Sequence, residues 1–103
     1  MSAEKEFYVY THKREDNNNI FYVGIGHTLV KGENNKDRAY TISGRRNKIW
    51  KQIYYECGKK IVIEKIFFSN NISECSIVEM KLIELYGRID LNTGTLANMT
   101  RLS

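Results

Sequence analysis

The sequence predicts a small α+β domain with helices packed on an antiparallel sheet, in the order β-β-α-β-α. Three observations lead there. Two aromatic, β-branched runs, FYVY and IFYVGI, stand close together near the start. A third apolar run, IVIEKIFF, follows much later. Between and after these, apolar residues recur at helical spacing.

In order, residues 7–10 form the first strand, and the polar stretch 12–19, HKREDNNN, is a loop. Residues 20–25 form the second strand, pairing with the first as a hairpin. Residues 26–36 are irregular. From Asp37 to Cys57 the pattern is helical, with Ile49, Trp50, Ile53 and Cys57 on one face, Gly44 breaking the first half and Gly58 suited to the C-terminal cap. Residues 61–68 form the third strand. Ser73 caps the last helix, Ile72 and Ile77 staple it, and Gly87 stops it. Residues 88–103 are a loop or turn-like tail.

A chain of 103 residues is one domain, 1–103. With 42% hydrophobic and 27% charged residues it reads as globular. No run is long and apolar enough to span a membrane, and there is no signal-peptide core. Cys57 and Cys75 fit neither a zinc site nor a disulfide framework, so they are expected as free thiols in a reducing cytoplasm. The net charge is +4 and the pI about 9.1, which biases the chain toward acidic partners, nucleic acid first among them. Gly24 and Gly26 supply only part of a dinucleotide fingerprint, because Leu29 stands where its third glycine belongs.

Some residues stand out chemically. Glu79 has Cys75, Ser76, Leu82 and Ile83 as its helical neighbours, and none is basic. A carboxylate on such a stripe is paired at a distance, protonated or bound to a metal. Lys36, Arg38, Arg45, Arg46, Lys48, Lys51, Lys59 and Lys60 form a basic cluster interleaved with Tyr40, Trp50, Tyr54 and Tyr55. That pattern fits either a phosphate backbone or a solvated helix face. Tyr10 and Tyr22 lie on adjacent strands and read, taken alone, as a buried aromatic pair. His12 and His27 fall in loops and read as surface histidines.

YVY at residues 8–10 and YVG at 22–24, Arg38 in DRAY, GRRNKIW at 44–50, Glu79 opening EMKLIELYGR, and LNTGTLANMT at 91–100 come in one order. Together they resemble the GIY-YIG nuclease superfamily over residues 7–100. The resemblance implies a three-stranded antiparallel sheet flanked by helices and a metal-dependent DNA endonuclease, phage or mobile-element encoded. It implies catalytic roles for Tyr10, Tyr22, Arg38, Glu79 and Asn98. Glu79 would hold one Mg²⁺ or Mn²⁺, and Arg38 would bind the nonbridging phosphate oxygens. Tyr10 would orient or deprotonate the attacking water, its pKa lowered by Arg38 or the metal, with Tyr22 beside it. Asn98 would hold the site together from the tail. Lys36, Arg45, Arg46, Lys48 and Lys51 are the expected DNA contacts.

The chain departs from the family at Tyr8, where a glycine is usual, and at Ile42, where many members carry a histidine. That departure supports an alternative, a non-catalytic nucleic-acid-binding module that keeps the fold. A basic protein-interaction domain, a third reading, leaves the ordered motif set unexplained. No recognition domain is visible, so specificity is left to DNA structure or to a partner. A double-strand break by one metal site requires a homodimer or two sequential events.

Overall fold

The computed structural model describes residues 6–28, 38–42 and 46–98. It is a small α+β domain with the three-stranded antiparallel sheet expected from the sequence. Strand β1 (Phe7–Arg14) lies in the centre, flanked by β2 (Ile20–His27) and β3 (Ile61–Ser69). Two helices follow the chain order, α1 (Lys48–Glu56) and α2 (Ile72–Tyr86). No helix among the described residues is long and apolar enough to cross a membrane.

The first hairpin is tighter than expected. β1 runs on through His12 to Arg14, because Thr11 and His12 are buried and continue the ladder opposite Val23 and Tyr22. The turn closes with Arg14 N–H donating to the Asn19 carbonyl (2.9 Å) and Asn18 in the left-handed region (φ 59°), a conformation asparagine tolerates. β2 likewise extends to His27. A register shift between His12 and Lys13 lets Phe21 and Tyr22 both ring His12.

The first helix is shorter than its pattern suggested. Arg38–Tyr40 form one 3-10 turn, and α1 begins only at Lys48. Asn47 starts it: its Oδ1 accepts from Trp50 N–H (2.8 Å) while its Nδ2 donates to the Ala97 carbonyl (2.8 Å). The expected break at Gly44 lies outside the described residues. Trp50, Ile53 and Cys57 are buried as expected, and Gly58 takes a left-handed conformation just beyond the C-cap. Asn71, not Ser73, caps α2, with its Oδ1 accepting from Ser73 N–H (2.9 Å). The cap is two residues earlier than expected, so Ile72 and Ile77 are not at staple positions, and both are about half exposed. Gly87 ends the helix as expected.

Alternation along β1 divides the core in two. Val9 and Val23 pack with Cys75 and Ile83 of α2 and with Leu96. Tyr8, Tyr10, Phe21 and Tyr22 pack with Ala39, Trp50, Ile53 and Ala97 on the other face. The tail covers the outer edge of β2. Ala97 N–H donates to the Phe21 carbonyl (2.6 Å), and Thr95 Oγ1 donates to the Ile20 carbonyl (2.9 Å). A sheet edge that would otherwise expose main-chain groups is thereby closed.

Candidate functional site

The site grows from the pairing of β1 with β2. Tyr10 stands directly opposite Gly24 and Tyr8 opposite Gly26. Each phenol lies across its glycine: a Cβ on Gly24 would sit 2.4 Å from the Tyr10 hydroxyl, and one on Gly26 2.4 Å from that of Tyr8. The two glycines of YVGIG are therefore floor space for tyrosine rings, which explains their spacing without any nucleotide loop. The Tyr10 and Tyr22 rings come side by side, 6.2 Å between centroids.

Arg46 fills the space above them. It is only 3% exposed, and its guanidinium lies 5.0–5.6 Å from the ring centroids of Tyr22, Trp50 and Tyr10. All its recorded hydrogen bonds point inward. Nη1 donates to the Tyr10 hydroxyl (3.0 Å), Nη2 to the Arg38 carbonyl (2.8 Å) and Nε to the Thr41 carbonyl (2.8 Å). The sequence grouped Arg46 with the outer DNA-contacting cations; burial moves it into the tyrosine cluster. Lys48 and Lys51 are exposed on α1, and Lys36 and Arg45 lie outside the described residues.

His12 is the functional-looking residue that sequence reasoning missed. It is fully buried, not a surface loop residue. Its Nε2–H donates to the Ala39 carbonyl (2.7 Å), and its Nδ1 accepts from Trp50 Nε1–H (2.9 Å). A carbonyl only accepts and an indole only donates, so the tautomer is fixed. Burial lowers its pKa to about 4, with Arg46 and Arg38 pushing the same way and the Ala39 bond opposing. Continuing the alternation Tyr8, Tyr10 by one step would have placed it on this face.

Burial also pushes the Tyr10 phenol above its usual range, and the nearby Arg46 and Arg38 charges offset only part of that. The expected lowering by Arg38 is present in sign but outweighed, so Tyr10 is a neutral phenol at pH 7. The Tyr22 hydroxyl has no hydrogen-bond partner among the described residues, whereas buried side-chain polar atoms there are all bonded. Tyr22 is 5% exposed, so its oxygen lies at the edge of the buried cluster. Arg38 is half-buried in the 3-10 turn, close enough for its charge to bear on Tyr10 and His12. Among the described residues, no carboxylate pairs with Arg38 or Arg46.

Asn98 is fully buried, and its side chain docks the tail on β2: Val23 N–H donates to Oδ1 (3.1 Å), and Nδ2 donates to the Val23 carbonyl (2.7 Å). Glu79 is 2% exposed on α2, between Cys75 and Ile83. That stripe packs on the Val9–Val23 face, opposite the one carrying Tyr10 and Tyr22. No group of three or more His, Cys, Asp or Glu side chains gathers among the described residues. Both cysteines are buried free thiols.

The structure thus brings together Tyr10, Tyr22, Arg38 and Arg46, adds His12 and Trp50, ties Asn98 to the middle of β2, and carries Glu79 on the helix beneath. Compared with family models, curated proteins and solved structures, the chain matches none.

Proposed function

We propose that this chain is a metal-dependent DNA endonuclease of the GIY-YIG kind. The observation that carries the reading is the charge balance of the tyrosine cluster. Two guanidiniums bear on Tyr10, and among the described residues no carboxylate offsets either. Cations gathered at a partly dry site without an anion favour an anionic ligand, and a phosphodiester supplies one.

In this reading Arg38 meets the nonbridging oxygens as charge develops on the phosphate. The Tyr22 hydroxyl positions the attacking water. Tyr10, neutral and held by Arg46, keeps that arrangement in register rather than removing a proton. Asn98 fixes the β2 backbone beneath Tyr22. Glu79 would hold a Mg²⁺ or Mn²⁺ ion, a hard cation that takes carboxylate oxygen and keeps several waters. Such an ion would supply charge stabilisation for a phosphate and its leaving oxygen.

One observation favours a second reading, a nucleic-acid-binding module without catalysis: Glu79 rides on the face opposite the tyrosines. Supercoiled plasmid with and without Mg²⁺ or Mn²⁺ separates the two. Nicking or linearisation by the wild type, lost in folded Glu79→Gln and Arg38→Ala, is the expected result. Cleavage retained in both variants ends the catalytic assignment. DNA binding without cleavage by the wild type selects the binding module.

A further inference from the structure

The outer face of α1 lies away from the tyrosine cluster and has a chemistry of its own. Lys48, Lys51 and Tyr55 follow at i, i+3 and i+7, one stripe of the helix, and all are exposed. Tyr55 is 64% exposed, far more than a ring placed for packing requires. Just past the helix, Gly58 and Lys59 both take positive φ (69° and 65°), and the chain turns so that the Lys59 ammonium lies 5.4 Å from the Tyr55 ring centroid. A lysine at positive φ is uncommon. Among the described residues, Lys48, Lys51, Lys59 and Lys60 have no carboxylate partner. Glu56, the acid on this helix, lies 3.7 Å from Arg14.

The exposed ring also has aromatic neighbours beneath it. Tyr55 meets Tyr54 edge-on (5.8 Å, 62°), and Tyr54 stacks on Trp50 (5.0 Å, 20°). Trp50 is fully buried and bonded to His12. An aromatic ladder therefore runs from the core to the surface and ends in an exposed ring beside the Lys59 ammonium.

We propose that this face binds a single-stranded DNA segment, with an unpaired base stacked on Tyr55 and the flanking phosphates met by Lys48, Lys51 and Lys59. Exposed aromatics among cations are the means by which single strands are held without reading sequence. A duplex hides its base faces and offers only phosphates to such a surface. This inference rests on the nucleic-acid reading above and deepens it: the substrate is DNA with unpaired bases, such as a flap, gap or branch.

The test is binding without metal, so that it stands apart from catalysis. Fluorescence anisotropy in EDTA, on the full chain carrying Glu79→Gln, compares a labelled oligothymidylate with a hairpin duplex of equal length. Tyr55→Ala is expected to weaken the oligothymidylate about tenfold. The duplex should change less than about twofold, and Tyr55→Phe should restore single-strand binding. Lys51→Gln should weaken both and shave about 0.7 from the salt slope on the single strand. Equal losses on both ligands with Tyr55→Ala, no loss on either, or no binding to either by the parent chain would overturn the proposal. A chain that cuts no DNA yet shows the selective Tyr55 loss would sink the nuclease and leave this surface standing.

Discussion

The two faces of the sheet share the same strands and are built on different physics. On the α2 face, the apolar side chains of Val9, Val23, Ile83 and Leu96 pack without direction, and burial is what favours their contact. On the α1 face, Tyr8, Tyr10 and His12 alternate from the same strand into a network in which the polar atoms have named partners. The Tyr8 hydroxyl accepts from Ala39 N–H (3.1 Å), the Tyr10 hydroxyl from Arg46, and His12 joins Ala39 to Trp50. An apolar face tolerates repacking, but a polar one fixes a single arrangement, because an unmade bond in a dry site is costly. Among the described residues, the second face gathers Arg46 with the hydroxyls of Tyr8, Tyr10 and Tyr22.

The largest expected effect comes from protonating the network at His12. Its folded pKa of about 4 lies below the ordinary value of 6.5. In the window between them the unfolded chain binds the proton and the folded chain does not. Stability is therefore full above pH 6.5 and falls as the pH drops toward 4. The gap between them corresponds to a loss on the order of 3 kcal/mol, more than half of it before the carboxylates begin to titrate. Urea midpoints at pH 7 and pH 5 in a His27→Gln background, with the remaining imidazole followed by NMR, check this. An imidazole titrating near 6.5 with flat stability would break the contrast between the faces.

Next comes the fit of Tyr10 over Gly24. Gly24→Ala places a methyl 2.4–2.8 Å from the phenol, which Arg46 and Tyr22 prevent from swinging aside. Overpacking here should cost about 3 kcal/mol by urea denaturation. A loss under about 1 kcal/mol would mean that the tyrosine face yields as easily as the valine face.

How much of this was legible follows from what sequence pattern encodes. Strands built from FYVY, IFYV and IVIEKIFF announce themselves by β-branched and aromatic content, and Gly87 marks its helix end locally. The end of β1 was hidden because HKR reads as polar, and the burial of His12 depends on Tyr22, Ala39 and Trp50, which are remote in sequence. The start of α1 was legible in principle, since Asn47 stands three residues before Trp50 as an N-cap should. Arg46 was not legible. Nothing local separates it from its neighbour Arg45, and its burial depends on rings from β1, β2 and α1 converging. Tyr10, Tyr22, Arg38, Glu79 and Asn98 were named through the family resemblance; composition and spacing alone left them as packing and charge.

The smallest effect sharpens the comparison most, because it divides the tyrosine face itself. Tyr10→Phe keeps the ring over Gly24 and removes the oxygen that accepts from Arg46. A buried guanidinium then loses one of its three recorded acceptors, which should cost about 2 kcal/mol. Tyr22→Phe removes a hydroxyl that bonds to nothing among the described residues, so stability should change by less than about 0.5 kcal/mol. Cleavage should respond in the opposite sense. If the proposed nuclease reading holds, Tyr22→Phe deletes the hydroxyl assigned to the attacking water, and its loss should fall on turnover in a protein that melts like the wild type. Tyr10→Phe should lose activity in step with its loss of stability. Equal destabilisation by both would mean that the two phenols are one packing unit, and the division between them would fail.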